Sequence, residues 1–374
     1  MGRRSCDWAG LRASAERFPS HDALICPQAT VRYSYRELDR AVDHVARGLL
    51  ALGFERGDRF GVWSTNWPEW ILLQLATARI GVVLVTINPA YRLTEFQYAV
   101  SHSEIRGLAL IQGFRSTSYF AMLEDICPEL IQARPGELRL EQFPKLQWIV
   151  TLHGSDRPGM LSWDQLCDQG SGFSEDALTQ REKLLTPADP INLQYTSGTT
   201  GSPKGALLTH RNLVLNAFYA GECQALSDAD RICIPVPLYH CFDCVLGTLC
   251  SIIRGAAMVS PRETFDASTT LQAVDQERCT AIYGVPTMFI SQLEHPDFER
   301  YNTSTLRTGI MAGSPCPIEL MKRVTTVMGA REITIGYGQN GGLAAYHADS
   351  HGGPDRTPAG YRWCGDSRSR GEDC

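Results

Sequence analysis

The sequence predicts an α/β fold. Helical segments with capping signals alternate with short apolar runs along most of the chain, and that order is the pattern of strands joined by helices. Its 374 residues are 43% hydrophobic and 20% charged, enough for two or three domains' worth of core in a globular protein. No internal repeat interrupts the alternation.

The elements read in order. Ser34 and Glu37 form a capping box. Leu38, Val42, Val45 and Leu49 then recur at helical spacing, and Gly53 closes that helix. Phe60–Trp63 reads as a strand. Asn66 is the expected cap of a helix with Pro68 in its first turn. A strand over 82–86 follows, then a helix capped by Thr94 and a strand over 108–111. Residues 154–159 and 169–174 collect Gly, Ser, Asp and Pro or Gln as loops. A strand over 191–195 leads to the richest motif in the chain, and Thr209 starts a helix through Ala220. Further short strands are expected over 232–236, 256–259, 281–285, 308–312 and 332–337.

Composition narrows the function. Net charge is −6 with no basic block, so nucleic acid is not an expected partner. The longest apolar stretch, 71–85, contains Gln74 and Arg79 and is too short and too polar to cross a bilayer. Peripheral membrane contact and oligomeric state stay open. The start, Met-Gly-Arg-Arg-Ser-Cys, lacks the apolar core of a secretory signal. The 13 cysteines, without regular spacing, suit a reducing compartment: the cytoplasm, with the mitochondrial matrix as the alternative. Cys241 and Cys244 form a single C-x-x-C with no second pair at ligand spacing, so they are expected to pack rather than bind zinc.

Residues 195–205 read Tyr-Thr-Ser-Gly-Thr-Thr-Gly-Ser-Pro-Lys-Gly. Glycines let backbone approach a ligand, hydroxyls and N–H groups donate hydrogen bonds, and the lysine brings positive charge; a polyphosphate uses all three. The spacing differs from the usual P-loop. Gly198 and Gly201 are too close together, Pro203 precedes Lys204, and the apolar residues Ala206–Leu208 follow before the Thr209 cap. The segment therefore reads as a clamp between two strands rather than the opening of a helix.

This run resembles the phosphate-binding signature of the adenylate-forming superfamily: acyl-CoA synthetases, luciferase-like enzymes and adenylation domains. Other segments extend the resemblance in family order. Pro237-Leu238-Tyr239-His240 is similar to the histidine motif, and Tyr283-Gly284-Val285-Pro286-Thr287 to the segment lining the acyl pocket. Ala312-Gly313-Ser314-Pro315 is similar to the stretch flanking adenine, and Tyr337-Gly338-Gln339 to the start of Tyr-Gly-x-Thr-Glu. Asn88-Pro89-Ala90-Tyr91 and Tyr35-Arg36-Glu37-Leu38 match the fatty and medium-chain acyl-CoA synthetase branch.

The resemblance implies the large N-terminal domain of that fold, incomplete over 1–339, with the small C-terminal domain absent. It implies ATP-dependent activation of a carboxylic acid, such as a fatty acid, to an acyl-adenylate and then an acyl-CoA, with ATP, Mg²⁺ and coenzyme A taking part. Thr196, Ser197, Thr199 and Thr200 would donate to phosphate oxygens. Gly198 and Gly201 would allow close approach, Lys204 would neutralise pyrophosphate, and Thr196 would lie on the metal side. Gly313, Ser314, Pro315, Tyr337 and Gly338 would hold the base, with Tyr337 stacking on it. Val285 and Met288 would form apolar wall. A lone histidine at a strand-to-helix junction is commonly a satisfied core residue; the Pro-Leu-Tyr before His240 favours a site role, gating or orienting the acyl group.

Residues 340–374 leave the pattern. Asn340 and Gly341 stand where the resemblance expects Thr-Glu, and Gly, Arg, Ser and Asp replace periodic aliphatics. Codons can be chosen so that a frame one base later restores Thr-Glu and a glycine-bounded apolar continuation, so this tail is expected to be disordered or out of frame. Impaired catalysis is the matching expectation. The alternatives are a non-catalytic nucleotide-binding remnant, an aryl-CoA ligase, or an amino-acid activator, for which Asp243 would be the amine-holding aspartate.

Overall fold

The computed structural model describes residues 7–154, 156–196, 203–339, 342–348 and 361–363. The chain divides into two compact units. The first is 37–211 with 1–12 and 238–241; the second is 13–36, 212–237 and 242–374.

The first unit is built on a seven-stranded sheet among the described residues. Its order is Gly205–Thr209, Pro190–Tyr195, Val83–Ile87, Arg59–Trp63, Gly107–Leu110, Trp148–Thr151 and Leu161–Ser162. All neighbours are parallel except the first pair, where Leu193 faces Leu207 across an antiparallel register. The expected hairpin at the glycine–lysine run is thus present. Between the strands run helices such as Tyr35–Ala51, Pro68–Ile80 and Leu93–Ser103. The helical period read from Leu38, Val42, Val45 and Leu49 is the buried face of Tyr35–Ala51, and Gly53 closes that helix with φ at +83°. Trp63 is sandwiched between Phe96 and Tyr119, with ring centroids 4.0 and 3.6 Å away, and all three are buried.

Two caps differ from the sequence reading. The helix expected from Asn66 starts at Pro68, and Asn66 Oδ1 instead accepts a hydrogen bond from Leu238 N–H at 2.9 Å. The helix expected from Thr94 starts at Leu93, where Glu95 Oε2 accepts from Arg92 N–H at 3.2 Å. Asn is a competent cap by type, but a long-range backbone donor claims this one.

The apolar stretch around Arg79 becomes the helix Pro68–Ile80, buried along nearly its whole length. Arg79 is fully buried, hydrogen-bonded to Asp39 and Asp43 with its Nη2 2.5 Å from Asp39 Oδ1, and ion-paired with Glu182, its Nε 3.4 Å from Oε1. Arg12 joins the same carboxylates. Burial raises the pKa of Asp43 and Glu182 above the ordinary carboxylate value, outweighing the pull of the two arginines. Among the described residues no helix is long and apolar enough to cross a membrane.

The second unit carries a nine-stranded sheet among the described residues. At its centre Glu332–Gln339, Thr308–Ala312, Ala281–Gly284, Arg231–Cys233, Ala257–Val259 and Asp22–Cys26 are mutually parallel. Val31–Ser34 closes one edge antiparallel, and Gly342–Ala348 with Tyr361–Trp363 close the other. These last two strands fall in the stretch for which the sequence offered no elements. Salt bridges gather at the amino ends of the parallel strands. Arg231 bonds to Asp22 at 2.9 Å and Glu277 at 2.6 Å, and Arg307 bonds to Asp230 at 2.7 Å and Glu332 at 3.1 Å. Burial pushes the Asp230 carboxyl up, but hydrogen bonds from Arg307, Thr280 and Ser227 outweigh it and hold its pKa low.

Candidate active site

In open parallel sheets, ligands bind beyond the carboxyl ends of the strands. The described site residues lie at or beyond those ends in both units. In the first unit Pro190–Tyr195 runs out into Thr196, whose N–H donates to Lys204 O at 2.9 Å. The hairpin therefore returns Lys204 to the strand end. Lys204 is exposed and Thr196 half-buried. Ser197, Gly198, Thr199, Thr200 and Gly201 lie outside the described residues. On the adjacent strand end, Asn88–Tyr91 is pinned from two sides. Trp63 Nε1 donates to Asn88 O at 3.2 Å, and Tyr119 Oη donates to Pro89 O at 2.6 Å.

His240 also belongs to the first unit. The hydrogen bond from Leu238 N–H to Asn66 anchors the backbone two residues before it. Its Nδ1 lies 3.6 Å from Cys241 Sγ. The residue is exposed by surface area, yet partial burial of the ring lowers its pKa, so the imidazole is neutral at neutral pH. Cys241 and Cys244 are buried, and burial pushes the Cys241 thiol up to about 11.

In the second unit, neighbouring parallel strands deliver the remaining residues. Ala281–Gly284 ends at Val285, which precedes the helix Pro286–Leu293 and leaves Met288 in its first turn. Thr308–Ala312 ends at Gly313, which takes a left-handed φ of +87°. A side chain there would meet Val285 Cγ1 at 3.0 Å, so the segment expected to flank adenine packs against the one expected to line the acyl pocket. Ser314 and Pro315 follow it, exposed. Tyr337 stands on the next strand, Glu332–Gln339, with 66% of its surface exposed and Gly338 beside it. A tyrosine held this far into solvent contributes little to folding and leaves its ring free for a planar ligand.

Asp243 has a different environment. It is 2% exposed at the start of a π-helical turn, Cys244–Leu249, and Thr248 Oγ1 donates to it at 3.4 Å. Burial raises its pKa well above the ordinary range.

Two cavities lie elsewhere. A groove of about 920 Å³ runs along residues that include Arg300, Thr303, Arg307, Arg331 and Glu332, at the amino edge of the second unit's sheet. A smaller one of about 390 Å³ involves Asp58, Arg59, Arg106 and Lys145, at the amino edge of the first. Neither is lined by a residue that the sequence nominates, and the groove's size reflects an open trough. The strand topology is the better guide to the site. Among the described residues no group of three or more His, Cys, Asp or Glu side chains is placed to hold a metal ion.

The AMP-binding enzyme family matches residues 11–365. This chain belongs to that family. Among curated AMP-binding relatives, the putative acyl-CoA synthetase YngI of Bacillus subtilis (strain 168) is 45% identical over 329 residues, covering 88% of this chain and 60% of that protein. The mitochondrial medium-chain acyl-CoA ligase ACSF2 of Danio rerio is 41% identical over 330 residues, covering 88% of this chain and 54% of that protein. This chain thus spans between half and two thirds of the length of these curated relatives. Its fold matches the anthranilate CoA ligase AuaEII, solved with anthranoyl-AMP, at a TM-score of 0.78 and 22% identity, covering 91% of this chain and 61% of that one. It also matches the N-terminal domain of FACL13 from Mycobacterium tuberculosis at a TM-score of 0.69 and 23% identity, covering 90% of this chain and 76% of that one.

Sequence reasoning passed over several residues that support the site. By sequence Asn66 is a helix cap, Tyr195 opens the glycine–lysine run without a role of its own, and nothing singles out Tyr98 or His102. Their partners lie far away in the chain, and no local pattern marks them.

Proposed function

We propose that this chain activates a carboxylic acid with ATP and then transfers the acyl group to coenzyme A. A carboxylate oxygen attacks the α-phosphorus of ATP, the α–β phosphoanhydride bond breaks, and pyrophosphate leaves. The thiol sulfur of coenzyme A then attacks the acyl carbonyl, and AMP leaves. Positioning and charge neutralisation dominate the first step. Lys204 neutralises the departing pyrophosphate, and Thr196 with Ser197, Thr199 and Thr200 donates to phosphate oxygens. Gly198 and Gly201 admit the phosphates closely. His240, held neutral, orients the acyl carboxylate through a hydrogen bond. Gly313, Ser314, Pro315 and Gly338 border the adenine, Tyr337 stacks on it, and Val285 and Met288 wall the acyl chain.

The Thr196 hydroxyl, at the end of the strand Pro190–Tyr195, is a hard oxygen donor of the kind that suits Mg²⁺, and Thr196 would hold the ion. When bound, the ion would spread the negative charge of the phosphates.

The observation that carries this reading is the return of Lys204 to Thr196 at a carboxyl strand end, in a chain of the AMP-binding family. The kinship to a medium-chain acyl-CoA ligase and the apolar character of Val285 and Met288 favour a fatty acid as substrate. The 13 cysteines without regular spacing favour a reducing compartment, the cytoplasm or alternatively the mitochondrial matrix.

ATP–pyrophosphate exchange across a panel of fatty, aromatic and amino acids tests the proposal. Exchange with fatty acids is the expected result, at a reduced rate because residues 340–374 leave the family pattern. Exchange with amino acids alone would make Asp243 an ammonium partner and favour that reading instead. Nucleotide binding without exchange would mark a non-catalytic chain.

Tyr337→Ala supplies a second check. Losing one stacked base costs about 1–3 kcal/mol, so ATP and AMP are both expected to bind roughly tenfold more weakly. Stability is expected to stay within about 0.5 kcal/mol, because the side chain is mostly exposed. Parallel binding and denaturant titrations read both.

A further inference from the structure

The helix Leu93–Ser103 holds both roots of the segment that carries Lys204. On the return side, Tyr98 Oη donates to Pro203 O at 3.1 Å, one residue before the lysine. On the outgoing side, Tyr195 Oη donates to Ala99 O at 3.0 Å. His102, one turn beyond Tyr98, stacks on it with ring centroids 5.1 Å apart and planes 17° from parallel. The Nδ1 of His102 lies 3.1 Å from Tyr195 Oη. Since Tyr195 gives its single proton to Ala99, that contact requires hydrogen on Nδ1. The rings of Tyr98 and Tyr195 meet edge to face at 6.3 Å. Burial pushes the Tyr195 phenol up to about 12, which keeps it a donor across the physiological range.

Pro203 has no N–H to offer, so its carbonyl is the only main-chain hydrogen-bonding group it has. The lysine that follows is a charge on a flexible four-carbon stem. Where its backbone leaves the hairpin therefore governs where the ammonium can spend its time. The Thr196–Lys204 hydrogen bond fixes the span of the hairpin, and Tyr98 fixes its tilt against the helix.

We propose that Tyr98, supported by His102 and Tyr195, is a positioning residue for Lys204, setting the point from which its ammonium meets the triphosphate of the nucleotide. This rests on the proposed role of Lys204 in binding phosphate. Tyr98 touches no substrate; it acts through the Pro203 carbonyl.

The test measures equilibrium binding of MgATP, inorganic tripolyphosphate and AMP to the full chain and to Tyr98→Phe, Lys204→Ala and the double variant. Phenylalanine keeps the ring on His102 and removes only the hydroxyl, and a thermal melt confirms folding. Tyr98→Phe is expected to weaken MgATP and tripolyphosphate by about five- to tenfold, the scale of one hydrogen bond, and to leave AMP unchanged. In the Lys204→Ala background it is expected to have no further effect, because the group it positions is gone. Should Tyr98→Phe bind triphosphate like the parent, or weaken AMP equally, or add its full effect to Lys204→Ala, the positioning role is overturned while the lysine's role stands. Should Lys204→Ala bind triphosphate as well as the parent, or the parent bind none, the reading of the site fails and this inference falls with it. Tyr195→Phe, which breaks the other root, is expected to reproduce the selective loss in weaker form.

Discussion

Lys204→Ala is expected to lower ATP–pyrophosphate exchange by about a hundred- to a thousandfold, the usual scale for removing one preorganised group that meets developing charge. The expectation follows from where the hairpin leaves the lysine. Its backbone is tied to Thr196 and its side chain is exposed at a carboxyl strand end. The charge contributes most when pyrophosphate separates and negative charge builds on the leaving group. Ground-state binding of MgATP should fall less, by about ten- to a hundredfold, as for a single charge-assisted hydrogen bond. AMP affinity should not move, which separates this variant from Tyr337→Ala. Lys204→Arg should recover binding better than exchange, because the guanidinium fork keeps the charge but not its position. Equal exchange rates for parent and Lys204→Ala would remove the lysine from the mechanism.

Arg79→Met carries the largest expected effect on folding. Arg79 is fully buried and faces Asp39, Asp43 and Glu182, with Arg12 the other cation in the cluster. Removing one partner of a buried ionic group costs about 3–5 kcal/mol, and partial exposure of Asp39 and Asp43 puts this case toward the lower end, with Glu182 the carboxylate left most buried. The sign of the pH dependence follows from the shifts. The pKa of Asp43 and of Glu182 is raised in the folded chain, so the fold binds more protons than the unfolded chain. Their contribution to stability is full below the unfolded value of about 4 and is lost as pH rises through the folded value. Without the arginine the folded values rise further. The deficit of Arg79→Met is therefore expected to be greatest at neutral pH and to narrow on mild acidification. Denaturant titrations of parent and variant over that range decide it. A deficit that does not change with pH would mean that lost packing, not unpaired charge, sets the cost.

Much of the fold was legible because periodicity is local. Leu38, Val42, Val45 and Leu49 announce one face of a helix, and the strands around Val83, Ile191 and Thr308 are short apolar runs bounded by turn formers. The glycine–lysine run was legible for the same reason. Its chemistry and its hairpin lie within one stretch, although 197–202 is outside the described residues. What failed was anything settled at a distance. Asn66 carries the right side chain for a cap and spends it on Leu238, 172 residues away. Arg79 reads as a polar interruption until Asp39 and Asp43 come into contact with it from the preceding helix. Tyr98 meets Pro203 across 105 residues, with nothing in either neighbourhood to announce it. The strand Gly342–Ala348 had no aliphatic period to reveal it; it pairs antiparallel with Glu332–Gln339.

The two rims of the second unit's sheet are built for different purposes. At one, Arg231, Asp22, Glu277, Arg307, Asp230 and Glu332 lace the strand starts together. At the other stand a left-handed glycine, a half-buried valine and a tyrosine in open water. Heritable variation at the second rim can therefore retune what the chain recognises without loosening the scaffold beneath it. Drift at the first would be felt as misfolding before any change of ligand could be selected.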